Sequence, residues 1–130
     1  MKLSEGSNLE VVWKTDPKLF GIRCARYKFV AKMLAGMGSV MEAGAGDGFL
    51  SRIVRVEVDR LLCFDKEPQS ESVQKFDFEQ DDWPAHLHHS FDAVYALDVL
   101  EHVRDEAAFM ARLCDALTAH GTCSRPATAP

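Results

Sequence analysis

Three glycines at alternate positions, Gly44, Gly46 and Gly48, follow the acidic Glu42 in the run Glu42-Ala43-Gly44-Ala45-Gly46-Asp47-Gly48. Glycine has no side chain and accepts positive φ, so a turn built this way lets a ligand approach the backbone closely. The spacing is not the Gly-x-Gly-x-x-Gly that holds a pyrophosphate at a helix N-terminus. Glu42 and Asp47 flank the turn, and two carboxylates there repel phosphate. The charge pattern therefore selects a phosphate-free ligand that carries positive charge. Asp65 stands 19 positions after Gly46. An acid placed at the end of the next strand can accept hydrogen bonds from both hydroxyls of a ribose. Asp98, Glu101 and His102 form a third group. Imidazole is the commonest general base toward a hydroxyl, which makes His102 the candidate catalytic residue. The competing reading is a histidine that bonds backbone and holds its loop.

These residues need elements to position them. Between Leu19 and about Leu34 the apolar positions Phe20, Ile22, Tyr27, Val30, Ala31 and Leu34 recur at helical intervals, and Gly36 and Gly38 end the pattern. Val40-Met41-Glu42-Ala43 is a short apolar strand running into the glycine turn, and Phe49, Ile53 and Val54 predict a short helix after it. A second strand is expected at about Arg60 to Phe64, ending on Asp65. Ser72 to Phe78 alternates as a short strand toward an edge, and Phe91 to Leu97 is a stronger, nearly continuous apolar strand. A helix is predicted from about Glu106 to Leu117. Residues 1–18 read as an N-terminal arm and 122–130 as an irregular tail, with 19–121 forming the domain. The order of elements specifies an α/β protein with an open, mostly parallel sheet and flanking helices.

Composition narrows the partners. A net charge of -5 over 130 residues argues against a surface built to neutralise nucleic acid, and Arg52, Arg55 and Arg60 read as a solvated face. No run approaches the roughly 20 apolar residues of a membrane span, so a cytoplasmic protein is expected. Cys24, Cys63, Cys114 and Cys123 are scattered, which favours reduced thiols. His86, His88 and His89 lie beside Trp83-Pro84 without acidic or thiol ligands at metal spacing, so no metal site is expected.

Three segments in order, Val40 to Gly48, Cys63-Phe64-Asp65 and Phe91 to Val103, resemble the class I S-adenosylmethionine-dependent methyltransferases. The likeness is to their small-molecule branch, which contains the quinone-biosynthesis O-methyltransferases, and it covers roughly Arg23 to Gly121. It implies a Rossmann-like fold, S-adenosyl-L-methionine as cofactor and a small-molecule methyl acceptor. It also implies that Glu42, Gly44, Ala45 and Gly46 surround the methionine portion, Asp65 holds the ribose, and Lys66 lies beside the adenine. Asp77 and Phe78 match the place where an acid and a backbone N–H meet the adenine amino group. Leu97 would offer its carbonyl to the ligand ammonium, and Arg26 or Arg23 would reach the methionine carboxylate.

The resembled fold continues with a fifth strand and an antiparallel pair, completing seven strands. The run after Gly121 is not strand-like, so the last strands are expected to be missing and the chain to be C-terminally truncated. The fourth strand would then expose an edge and invite self-association. Two other functions compete with methyl transfer. One is a catalytically silent module that binds S-adenosylmethionine or a partner; the other, a nicotinamide-dependent oxidoreductase, is disfavoured by the glycine spacing.

Overall fold

The structure, a computed structural model, describes residues 14–97 and 99–124. Helix α1 (Pro17–Leu34) opens on a capped end: the Asp16 side chain accepts from the Leu19 N–H at 3.1 Å, and Pro17 occupies the first turn. Both suit a helix N-terminus, where a carboxylate satisfies an orphan N–H and a missing N–H costs nothing. Gly36, at φ +83°, ends the helix in the left-handed region. Next come β1 (Ser39–Ala43), the glycine turn, α2 (Ser51–Arg55), β2 (Arg60–Asp65) and β3 (Gln74–Lys75). A single 3₁₀ turn (Ala85–Leu87) leads into β4 (Phe91–Ala96), a second (Leu100–His102) follows it, and α3 (Glu106–Cys114) and β5 (Leu117–Ser124) close the described chain.

The five strands form one sheet in the order β3-β2-β1-β4-β5, every neighbouring pair parallel. Alternation along the strands divides the core. Val40, Leu61, Cys63, Ala93 and Tyr95 face α1 and α2, whereas Met41, Ala43, Phe64, Val94 and Ala96 face α3 and an aromatic cluster. A sheet with apolar residues on both faces is what parallel strands joined by crossover helices require. This is an α/β, Rossmann-like fold, and the carboxyl ends of β1, β2 and β4 converge where ligands enter open sheets of this kind.

Three expectations need correction. The strand predicted over Ser72 to Phe78 shrinks to two residues, because Phe76 and Phe78 turn inward to pack with Phe64, Trp83 and Phe109. Helix α3 stops at Cys114 rather than Leu117, since Leu117 is drawn into the sheet beside Phe91. The third correction is larger: residues 117–124 form a fifth strand paired with β4, and residues 122–124 were expected in the irregular tail. The register breaks between Phe91 and Ala93, and Gly121 sits at that irregularity with room for no side chain: an added Cβ would lie 2.9 Å from Leu117 and 3.1 Å from the Phe91 carbonyl oxygen. The edge of β4 is therefore covered, which removes the basis for self-association through it. The expected arm up to residue 13 and the tail from 125 lie outside the described residues.

Candidate functional site

The glycine turn is stitched to β2 by backbone. Gly44 and Ala45 both donate to the Phe64 carbonyl, at 2.7 and 3.0 Å, and Gly46 accepts from the Gln69 N–H at 3.1 Å. Gly44, Gly46 and Gly48 all have positive φ, at +80°, +63° and +75°. Gly44 is doubly constrained, because a Cβ there would meet Val99 Cγ2 at 2.1 Å, whereas a Cβ on Gly46 would enter open space. Gly46 lines a cavity over the turn.

Asp65, at the end of β2, binds the turn directly: its Oδ2 accepts from the Gly46 N–H at 2.9 Å and its Oδ1 from the Glu67 N–H at 2.9 Å. It stands where two cavities meet. One, of about 480 Å³, lies over the turn and takes in Arg23, Arg26, Tyr27, Ala45, Gly46, Asp47 and Leu97. The other, of about 570 Å³, runs along Lys66, Asp77, Phe78, Val99 and Phe109. Gly44, Asp65 and His102 belong to both walls. His102 projects from the 3₁₀ turn after β4, its side chain 73% exposed, with Nε2 3.8 Å from a Glu101 carboxylate oxygen. Asp98 lies outside the described residues.

Of the expected residues, Gly44, Ala45, Gly46, Asp65, Lys66, Asp77, Phe78, Leu97, Arg26 and His102 are thus brought to one cleft. Glu42 is not. Strand alternation turns it toward α1, where it is fully buried and lines neither cavity. It accepts hydrogen bonds from Tyr27 Oη at 2.5 Å, from Tyr95 Oη at 3.0 Å and from Ser51 Oγ. Burial pushes its carboxyl above the usual range, and the three hydroxyls and Arg55 offset this only in part. Burial, with the Glu42 charge, also pushes Tyr27 and Tyr95 well above the ordinary phenol value and Cys63 up to about 11. The acidity that faces the cleft at the turn therefore comes from Asp47 and Asp65.

The family described as "Methyltransferase domain" matches residues 18–123. The chain belongs to that family. Among solved structures, this methyltransferase domain is similar to an assigned methyltransferase from Bacillus halodurans, with a TM-score of 0.63 and 18% identity over 81% of this chain and 50% of that one. It is also similar to an assigned S-adenosyl-L-methionine-dependent methyltransferase from Methanococcus maripaludis, with a TM-score of 0.65 and 12% identity over 96% of this chain and 67% of that one. A third similar structure is the trans-methyltransferase CalH in complex with S-adenosylhomocysteine, with a TM-score of 0.59 and 16% identity over 91% of this chain and 42% of that one. The domain thus spans between two fifths and two thirds of the length of these structures. No curated protein matches the sequence.

The two cavities are also lined by residues that sequence reasoning did not place in the site. Tyr27, Leu50 and Gln69 line the first cavity, and Val99 and Phe109 the second. Tyr27 looked like an ordinary core position of an amphipathic helix, and nothing local marks its hydroxyl as a partner of Glu42. Arg23, already expected near the ligand carboxylate, carries a sharper signal: its Nε is buried without a hydrogen-bond partner among the described residues, beside the first cavity. Buried guanidinium nitrogens rarely stay unpaired, so a bound acceptor would fit there.

Proposed function

We propose that this domain binds S-adenosyl-L-methionine across the two joined cavities and transfers its methyl group to a small-molecule acceptor. The observation that carries the reading is Asp65 at the junction of the cavities, with the glycine turn on one side and Asp77 with Phe78 on the other. Bound there, the cofactor supplies a methyl group already activated on a sulfonium sulfur, whose in-line transfer leaves S-adenosylhomocysteine.

The residues present suit that ligand. Arg23, whose Nε has no partner among the described residues, is the group for the methionine carboxylate, and Arg26 stands on the same wall. The Leu97 carbonyl is offered to the ammonium. The Asp65 carboxylate accepts from the ribose hydroxyls while keeping Gly46 in place, since each carboxylate oxygen can take more than one donor. Asp77 and the Phe78 N–H read the adenine edge, with Lys66 at its side. The protein's contribution to rate is then alignment, which shortens the search for the in-line geometry. His102 is the base assigned to the proton that a hydroxyl acceptor loses as its oxygen bonds to the methyl carbon.

Isothermal titration calorimetry tests the reading with S-adenosylmethionine, S-adenosylhomocysteine and NAD. Binding of both sulfur ligands and not of NAD is expected. Binding of NAD with none of either sulfur ligand would overturn it.

A further inference from the structure

Glu42 is the one fully buried acid of the described chain, and it touches neither cavity. Its three hydroxyl donors come from three different elements: Tyr27 from α1, Ser51 from the start of α2 and Tyr95 from β4. Each of those elements carries part of the wall of the first cavity. Helix α1 brings Arg23 and Arg26, the turn entering α2 brings Leu50, and the residue directly after β4 is Leu97. The second cavity takes none of its wall from Tyr27, Ser51 or Tyr95. A carboxylate left without partners in this place would carry a large desolvation cost, so the three hydroxyls hold to it and to each other's elements. The edge-to-face Tyr27 and Tyr95 rings, 6.5 Å between centroids, keep the two phenols converged on it.

We infer that Glu42, Tyr27, Ser51 and Tyr95 form a positioning cage that sets the shape of the amino-acid half of the cofactor cleft and leaves the nucleoside half alone. This rests on the proposed binding of S-adenosylmethionine across the two cavities. Tyr27 is the member through which the cage reaches the ligand, because its hydroxyl binds Glu42 while the residue itself lines the first cavity. Tyr95 and Ser51 act only through the others, since both are fully buried and stand on neither wall.

A comparison of two ligands separates positioning from general stability. S-adenosylhomocysteine fills both halves of the cleft, whereas 5′-methylthioadenosine keeps the nucleoside and lacks the amino acid. Affinities of both are measured by calorimetry on the full chain and on Tyr95→Phe, at a temperature where circular dichroism shows each protein folded. The expected result is a loss of about fivefold to twentyfold for S-adenosylhomocysteine with less than a twofold change for 5′-methylthioadenosine; one hydrogen bond, on the order of 1 kcal/mol, corresponds to about fivefold. If Tyr95→Phe does not fold, Ser51→Ala removes a different hydroxyl of the cage and the same ratio is read. Equal losses for the two ligands, or no loss for either, would overturn the cage as a positioning device while the binding reading stands. A wild-type chain that binds neither ligand would overturn both.

Discussion

Replacing Gly44 with alanine probes the turn where it is most tightly determined, and two separate costs follow from its geometry. At φ +80° an L-residue sits in the left-handed region, which costs on the order of 1–2 kcal/mol. The added Cβ would also lie 2.1 Å from Val99 Cγ2. Carbon atoms rest at roughly 3.5–4.0 Å, so Val99 must retreat by more than 1 Å, and overpacking of this kind costs about 1–3 kcal/mol. The expected destabilisation is therefore about 2–5 kcal/mol, read from urea unfolding followed by circular dichroism. Gly46→Ala separates the two costs: its φ of +63° carries the same backbone strain, but nothing lies within 4 Å of the new Cβ. It should cost only about 1–2 kcal/mol. Its methyl group would nevertheless stand on a residue that lines the cavity over the turn, so it should weaken S-adenosylhomocysteine binding out of proportion to its stability. Val99→Ala removes the colliding methyl, so the double variant Gly44→Ala/Val99→Ala should recover about 1–3 kcal/mol relative to the sum of the single changes. Additivity within about 0.5 kcal/mol would refute the steric argument. Equal costs for Gly44→Ala and Gly46→Ala would do the same.

Asp65→Ala should weaken S-adenosylhomocysteine by about 1.5–3 kcal/mol, the range for hydrogen bonds to a charged group, and an unchanged affinity by calorimetry would remove Asp65 from the ribose site. His102→Ala should leave cofactor affinity within a few-fold, because the side chain is 73% exposed; a large loss in a folded variant would place it in the cofactor shell. Cys63 keeps its proton in the folded state up to about 11, against an ordinary value of 9.0. A raised acid of this kind stabilises the fold below its unfolded value, and the contribution is lost as pH climbs through the folded one. At 1.36 kcal/mol per pH unit that loss is about 3 kcal/mol at most, and Tyr27 and Tyr95, also raised, add to it at higher pH. Urea midpoints at pH 8 and pH 11 should therefore fall less for Cys63→Ala than for the wild-type chain. Asp16→Ala should cost about 1 kcal/mol by removing the cap on α1, visible as a lower thermal midpoint.

Much of the site was legible because its determinants are local. Positive φ at alternate positions demands glycine wherever the chain is placed, so Gly44, Gly46 and Gly48 announced a turn before any fold was known. The nearly continuous apolar runs at 40–43 and 91–97 could only be strands buried on both faces, and Asp65 followed from where the next such run ended. What lay beyond reach depends on partners distant in sequence. Whether Glu42 faces a ligand or the core is decided by hydroxyls 15 and 53 residues away, on elements whose packing no short window of sequence describes. The turn is acid-flanked, and the acids that line the cleft there are Asp47 and Asp65. Residues 117–124 show the same limit from the other side. Gly121 and the polar run after it carry no strand signal of their own, and they become a strand because β4 presents a row of backbone donors and acceptors that must be paired. Local backbone preference and apolar periodicity are written in adjacent residues; burial and hydrogen-bond pairing belong to neighbours in space, and only the folded sheet supplied those.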